Sequence, residues 1–89
     1  MIARHVHVTG EVQGVCFRAW TQDQAKALDV AGWVRNCPDG SVEAHVEGDE
    51  SAVGEMIERL RRGSPAANVA DLRTWDVDPC EFDDFEMRP

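Results

Sequence analysis

The 89-residue chain has no apolar run that approaches the roughly 20 residues of a membrane-spanning helix. Its first residues, Met1-Ile-Ala-Arg-His, also lack the long apolar stretch of a secretory signal peptide. Linkers, internal repeats and low-complexity stretches are missing as well. The composition, 43% hydrophobic and 29% charged, is typical of a folded chain. These features predict one cytoplasmic domain over residues 1–89 with no membrane partner.

Cysteine is scarce, with Cys16, Cys37 and Cys80 as its only occurrences. An odd number of cysteines without Cys-x-x-Cys spacing argues against a disulfide framework and against a zinc site. His5 and His7 alternate on one predicted strand, but no third candidate ligand accompanies them in the sequence. We therefore interpret both histidines as surface residues, and we expect neither a metal nor another cofactor.

Positive charge is also in short supply, with 9 basic and 17 acidic residues and a formal net charge of −8. So acidic a chain repels a phosphate backbone, which disfavours nucleic-acid binding. The aromatic pairs of RNA-binding RNP motifs are missing too. An anionic small substrate would therefore need a locally positive patch. Lys26 is the only lysine, so the other basic residues are arginines, whose planar cation suits carboxylate and phosphate.

Apolar periodicity and turn signals outline the order of secondary structure. Strands are predicted over 2–9, 32–37, 41–47 and 69–77, helices over 18–30 and 50–62, and a last short strand at Phe85 and Met87. Pro38-Asp39-Gly40 marks a tight turn, so the strands on either side of it form a hairpin. Two helices, each with one apolar stripe, must cover one face of an antiparallel sheet. The order βαββαβ with a C-terminal extension predicts an α+β, ferredoxin-like two-layer sandwich.

Side-chain patterns within these elements make further predictions. The second helix carries an apolar stripe formed by Val53, Met56, Ile57 and Leu60. Gly54 in its interior is expected to cost up to ~1 kcal/mol unless close packing against the sheet requires a glycine. The strand over 41–47 alternates between an apolar side and a polar side, the latter formed by Ser41, Glu43, His45 and Glu47. The acidic stretch from 71 to 86 is interpreted as a solvated surface.

A loop bracketed by glycines joins the first strand to the first helix, and its sequence is Gly10-Glu-Val-Gln-Gly14-Val-Cys-Phe-Arg18. Backbone amides in such a loop can converge on an anion, and the N-terminus of the following helix reinforces them. The guanidinium of Arg18 can grip two phosphate oxygens. A nucleotide P-loop and a dinucleotide fingerprint are excluded because neither GxxxxGK[ST] nor GxGxxG occurs. The pattern alone leaves open an anion cradle or an ordinary turn with a surface arginine.

A second segment, Gly32-Trp-Val-Arg-Asn36, leads into the Pro38-Asp39-Gly40 turn. In a βαβ unit this strand can lie near the loop that precedes the helix, which would bring Asn36 close to Arg18. An asparagine amide can orient a water molecule through its oxygen. Taken alone, an asparagine before a turn is usually a turn former.

Together the two segments resemble the signature stretches of the acylphosphatase family, and the resemblance extends over essentially the whole chain. It implies hydrolysis of an acyl phosphate, a carboxyl–phosphate anhydride, to carboxylate and inorganic phosphate by a monomeric, metal-independent enzyme with the ferredoxin-like fold. By matching position, it implies that Asn36 positions the attacking water. The phosphoryl group would be bound by the guanidinium of Arg18 and the backbone amides of Gly14, Val15, Cys16 and Phe17.

The chemistry of an acyl phosphate suits so sparse a site. Phosphoryl transfer passes through a loose transition state, so catalysis consists mostly of positioning and charge stabilisation. A carboxylate leaving group, whose conjugate acid has a pKa of about 4, needs no general acid. An unactivated phosphate ester is a much poorer match. Neither the resemblance nor the chemistry identifies the physiological acyl group.

Three alternatives remain open at the level of the sequence. In a cysteine phosphatase, Cys16 or Cys37 would be the nucleophile, although Arg18 follows Cys16 too closely for the usual loop. The two thiols could instead have a redox role, in which their oxidation blocks access of phosphate. In a non-catalytic binding module, the same cradle would bind an anion without turnover.

Overall fold

The computed structural model describes all 89 residues as a two-layer sandwich of two helices and one five-stranded sheet. The strands are β1 (Ile2–Glu11), β2 (Ala31–Asn36), β3 (Val42–Gly48), β4 (Asn68–Val77) and β5 (Phe85–Met87); the helices are α1 (Phe17–Ala27) and α2 (Glu50–Arg62). No helix is long and apolar enough to cross a membrane. The predicted α+β, ferredoxin-like architecture with the order βαββαβ is confirmed.

The strands lie in the order β4-β1-β3-β2-β5. The first four pair antiparallel, as expected, and the predicted hairpin is the β2–β3 pair. The extension adds β5, which lies parallel to β2 at the sheet edge and places Met87 beside Val34. Because β5 runs parallel to β2, the C-terminal ends of both strands lie at the same end of the sheet, where α1 begins.

The core between the two layers consists mainly of valines from the sheet and the apolar stripe of α2. Val6, Val8 and Val34 of the sheet are at most 1% exposed. The predicted stripe on α2 is confirmed, since Val53, Met56, Ile57 and Leu60 are all buried. On α1 the buried residues are Phe17, Thr21 and Ala25, so α1 packs on the sheet from its first residue onward. Its N-terminus is thereby fixed relative to the strands.

Helix α1 ends at Ala27, three residues earlier than predicted. Asp29 has a left-handed backbone with φ 58°, and the amides of Asp29 and Val30 donate to the carbonyls of Lys26 and Ala25. This is a Schellman-type C-cap, in which glycine is the preferred left-handed residue. Leu28 and Val30 both pack against the core although they lie beyond the end of the helix. The apolar spacing therefore predicted a helix that continues past its C-cap.

The polar side of β3 is largely buried, whereas the acidic residues of the stretch from 71 to 86 are all exposed, as predicted. Glu47 is fully buried, and its carboxylate accepts the backbone N–H groups of Cys80 and Phe82 at 2.8 and 3.0 Å. His45 is 6% exposed and donates to the same carboxylate at 2.6 Å. Val46, which lies between His45 and Glu47 on β3, faces the core. His45 and Glu47 therefore lie on the sheet face opposite the helices, and the segment 78–84 crosses that face.

His5 and His7 are half-buried on that face rather than plain surface residues. His5 donates to the Glu43 carboxylate at 3.1 Å and stacks on Trp75, and His7 hydrogen-bonds with the hydroxyl of Ser41 at 2.9 Å. Both rings thus have partners within the sheet, which accounts for them without a metal.

Replacement of Gly54 by alanine is expected to stabilise the fold. Gly54 lies in the middle of α2 on its exposed side, and a Cβ atom added there would meet nothing within 4 Å. Glycine in a helix interior costs about 0.5–1 kcal/mol relative to alanine, so Gly54→Ala should raise the free energy of unfolding by about that amount. Urea denaturation followed by circular dichroism measures this, and an unchanged or lower midpoint would contradict it.

Candidate active site

A cavity of about 370 Å³ opens where the N-terminus of α1, the end of β2 and the end of β5 meet. Five of the six predicted site residues line it, and these are Gly14, Cys16, Phe17, Arg18 and Asn36. The sixth, Val15, lies in the same loop with its side chain packed partly against the core. The two signature segments, 18 residues apart at Arg18 and Asn36, are thus brought together by the fold.

The charge of this cavity differs from that of the whole chain. Arg18 is the only basic residue that lines it, and no aspartate, glutamate or histidine does. The chain as a whole carries a net charge of −8. The cavity therefore supplies the locally positive patch that an anionic substrate requires, and it holds no carboxylate that would repel one.

The loop before α1 has a backbone with unpaired donors. Gly14 and Cys16 both adopt left-handed conformations, with φ 74° and 59°. The N–H groups of residues 14–17 donate to no backbone carbonyl, and the first turn of α1 closes only with the bond from Trp20 to Cys16. Neither a capping side chain nor an acidic residue occupies this helix terminus. Backbone N–H groups at an uncapped helix start are suited to bind an anion.

Gln13 fixes the loop against the turn that follows β2. Its side-chain amide donates to the carbonyls of Cys37 and Ser41, at 2.9 and 2.8 Å. The turn closes on itself through the bond from the Cys37 amide to Ser41 and through Asp39, whose carboxylate accepts the amide and hydroxyl of Ser41. These two bonds from Ser41 hold the pKa of Asp39 below its usual value. This role of Gln13 was not predicted, although the glutamine lies within the glycine-bracketed loop.

Asn36, the last residue of β2, contributes an unsatisfied acceptor. Its Oδ1 atom is buried and accepts no hydrogen bond from any protein group. Most buried polar atoms have a partner, so an orphaned carbonyl oxygen in a cavity calls for an explanation. An amide oxygen in this position can accept a hydrogen bond from a water molecule or from a substrate.

Arg18 is held by the C-terminal end of the chain. Its Nη1 donates to the carbonyl of Arg88 at 2.6 Å, and no carboxylate lies within ion-pair distance of the guanidinium. A single neutral acceptor orients the side chain and leaves its positive charge uncompensated. The remaining N–H donors can therefore grip an anion in the bidentate way typical of arginine.

The end of the chain is itself anchored to β2. The amide of Arg88 donates to the carbonyl of Val34 at 2.8 Å, and its guanidinium lies 4.8 Å from the centre of the Trp33 ring. Gln22 of α1 donates to the carbonyl of Phe85 at 3.0 Å. This support was not predicted, because the three residues of β5 are too short a pattern to reveal a parallel partner.

One group of side chains outside the cavity has the chemistry of metal ligands. Donor atoms of His45, Glu47 and Cys80 lie within 4.8 Å of one another. Burial raises the pKa of the Glu47 carboxyl, but the amides of Cys80 and Phe82 and the ring of His45 outweigh it and hold that pKa below its usual value. Because these donors already satisfy both carboxylate oxygens, the group anchors the segment 78–84.

The two cysteines nearest the site differ in position. Cys16 is exposed and lines the cavity, whereas Cys37 is half-buried in the turn and does not line it. Cys16 immediately precedes α1, and Arg18 is the second residue of that helix.

The chain is thus a ferredoxin-like sandwich with a cationic cavity at the loop between its first strand and its first helix. The family model described as Acylphosphatase matches residues 4–87. An acylphosphatase of Rhizorhabdus wittichii is 51% identical over 88 residues, which cover 99% of this chain and 89% of that protein. An acylphosphatase of Haloquadratum walsbyi is 50% identical over 84 residues, which cover 94% and 90%. The chain belongs to the acylphosphatase family and is an enzyme of that family.

The solved structures agree with this assignment. The crystal structure of acylphosphatase from Bacillus subtilis matches the fold with a TM-score of 0.95 at 36% identity, and all of both chains is covered. A structure of an acylphosphatase from Coxiella burnetii gives a TM-score of 0.94 at 33% identity over 98% of this chain and 92% of that one.

Proposed function

We propose that this enzyme hydrolyses acyl phosphates to a carboxylate and inorganic phosphate at the cavity between α1, β2 and β5. The observation that carries the proposal is the meeting of the unpaired loop amides, the uncompensated Arg18 and the orphaned Asn36 oxygen in one cavity. Each of these groups suits one requirement of phosphoryl transfer to water. The loop and Arg18 suit the anion, and Asn36 suits the nucleophile.

The amides of Gly14, Val15, Cys16 and Phe17, together with Arg18, bind the phosphoryl oxygens. Fixed donors that surround these oxygens stabilise the charge of a loose, metaphosphate-like transition state without reorganisation. The backbone supplies most of the donors, which explains why a loop with one charged side chain suffices. Val15 takes part through its amide alone, since its side chain packs toward the core.

Asn36 orients the attacking water. Its Oδ1 accepts one O–H of the water, which directs an oxygen lone pair toward phosphorus. A new P–O bond forms to the water oxygen, and the bond between phosphorus and the acyl oxygen breaks with its electron pair leaving on the carboxylate. Since no carboxylate or imidazole lines the cavity, a phosphoryl oxygen of the substrate accepts the water proton.

The same site composition limits the substrate class. The leaving carboxylate needs no general acid, and the cavity lining offers none. The leaving group of a phosphate monoester is an alkoxide, which would require a general acid. We therefore propose that small-molecule acyl phosphates are hydrolysed and that phosphate monoesters are not.

The enzyme is further proposed to act as a single-domain monomer in the cytoplasm, without a metal or cofactor and without nucleic-acid or membrane partners. The net charge of −8 supports the absence of nucleic-acid binding. All proposed catalytic groups come from one chain, so the proposed reaction does not require a residue from a partner subunit. The cavity lining offers neither a carboxylate nor an imidazole that could bind a metal.

The division of roles predicts that Asn36→Ala binds phosphate but hydrolyses little. We expect kcat for benzoyl phosphate to fall about 10²–10³-fold, because an unoriented water loses its near-attack position. The inhibition constant of inorganic phosphate should stay within about threefold of the wild-type value, since the loop and Arg18 are intact. Both quantities are measured in EDTA-treated buffer from the decrease in the ultraviolet absorbance of benzoyl phosphate and from the release of phosphate.

Asn68→Ala is the matched control, because Asn68 is the other asparagine of the chain and lies exposed outside the cavity. It should hydrolyse benzoyl phosphate at the wild-type rate. Wild-type protein that binds phosphate and releases no product would contradict the proposed function and favour the binding-module alternative.

A further inference from the structure

Met87 presents an apolar side chain at the mouth of the cavity. It is 46% exposed and one of only three large hydrophobic residues with such exposure, the others being Met1 and Trp75. Met87 pairs in register with Val34, and alternate residues of a strand share a face, so its side chain lies on the face of Val34, Phe85 and Asn36. Phe85 and Val34 are at most 1% exposed beneath the helices. Met87, two residues after Phe85 on β5, extends beyond the surface that the helices cover and lines the cavity instead.

The cavity lining divides into a polar part and an apolar part. The polar part consists of the loop backbone and Arg18, which are proposed to bind the phosphoryl group, and of Asn36, which is proposed to orient the water. Among the apolar residues, Val12 and Phe17 are 1% exposed and belong to the core. Cys16 and Ala19 are exposed in the lining as well, but their side chains are short, so Met87 supplies the one long apolar side chain that is exposed there.

From this arrangement we propose that Met87 contacts the acyl group and makes the enzyme favour aromatic and bulky apolar acyl phosphates over acetyl phosphate. The inference rests on the proposed function and adds the substrate preference of the same site. Methionine is unbranched and polarizable, and its thioether packs favourably on aromatic rings. An acetyl group is too small to cover the side chain, whereas a benzoyl group bound by its phosphoryl end extends over it.

The test compares kcat/KM for benzoyl phosphate with kcat/KM for acetyl phosphate in wild type and variants. We expect wild type to prefer benzoyl phosphate, and Met87→Ala to lower that preference about five- to tenfold, less than the roughly 10–200-fold of a methylene in a closed hydrophobic pocket because Met87 is 46% exposed. Met87→Gln, of similar length but polar, should lower it too, and Met87→Leu should retain it. The inhibition constant of inorganic phosphate should stay unchanged in all three, because the backbone carbonyl of Arg88 that holds Arg18 is not altered.

Trp75→Ala is a control, since Trp75 is similarly exposed but lies on the opposite sheet face against His5. It should leave the substrate preference at the wild-type value. A preference unchanged by Met87→Ala and Met87→Gln, with both substrates hydrolysed, would overturn the role of Met87 alone. Absence of turnover with either substrate would instead contradict the proposed function.

Discussion

Replacement of Arg18 by alanine is expected to lower kcat/KM for benzoyl phosphate by about 10³-fold or more, the usual effect of losing a transition-state arginine in phosphoryl transfer. The guanidinium is the only cation in the cavity lining, and no carboxylate neutralises it. Unlike Asn36→Ala, Arg18→Ala should also weaken inhibition by inorganic phosphate. Steady-state kinetics with phosphate as inhibitor separate the two effects.

Arg18→Lys tests the geometry of the arginine in addition to its charge. Lysine keeps the charge but cannot bind two oxygens in a planar fork, so most of the activity should still be lost. Arg73→Ala is the matched control, because Arg73 is an exposed arginine on β4 that pairs with Asp71. Its activity should equal that of wild type. An Arg18→Ala variant that folds and keeps more than a tenth of the wild-type activity would contradict the assignment.

Loss of the Glu47 carboxylate is expected to produce the largest change in stability. Glu47→Ala leaves the amides of Cys80 and Phe82 and the buried ring of His45 without their acceptor. Breaking a buried, hydrogen-bonded pair costs about 3–5 kcal/mol, so the free energy of unfolding should fall by about that amount. Glu58→Ala on the exposed side of α2 should change it by less than about 0.5 kcal/mol. Chemical denaturation at neutral pH compares the two variants.

The pH dependence of stability gives an independent measurement of the same group. The pKa of Glu47 is lower in the folded chain than its ordinary value of 4.5. The unfolded chain therefore binds a proton first as the pH falls, and the stabilisation, fully present above pH 4.5, is lost as the pH drops through the folded pKa. The stability difference between wild type and Glu47→Gln should thus be constant near neutrality, where both states are ionised, and shrink as the pH falls below the unfolded value of 4.5. A difference that grows on acidification would contradict the lowered pKa.

The stability of this anchor also bears on the site. The amides that Glu47 holds belong to the segment that leads into β5, and Arg88 after β5 supplies the carbonyl that orients Arg18. A sheet face that looks like plain solvent-exposed surface in the sequence is therefore connected to Arg18, the residue proposed to bind the phosphoryl group, through one continuous stretch of chain.

The sequence was sufficient for the elements whose signals are local. The stripe of α2, the hairpin turn and the glycine-bracketed loop each depend on residues a few positions apart, and all three occur where predicted. The joining of Arg18 and Asn36 in one cavity followed from the order of the elements. In each case the spacing of nearby residues constrains the backbone directly.

Contacts between distant parts of the chain could not be predicted in the same way. The partners of Glu47 lie 33 and 35 residues away, and Arg88 lies 70 residues from Arg18. A polar residue at an alternating position is normally solvent-exposed, and only the path of the segment 78–84 makes Glu47 buried. Met87 in the cavity depends likewise on the parallel pairing of β5 with β2, for which three residues carry no signal.

Hydrolysis of benzoyl phosphate in water enriched in oxygen-18 tests the central claim most directly. If the loop and Arg18 hold the phosphoryl group and Asn36 directs water at phosphorus, the heavy oxygen must appear in inorganic phosphate and none in benzoate. Mass spectrometry of the two products after enzymatic turnover, corrected for the spontaneous reaction, gives the answer. Heavy oxygen in benzoate would mean attack at the carbonyl carbon and would contradict the assigned roles of Arg18 and Asn36.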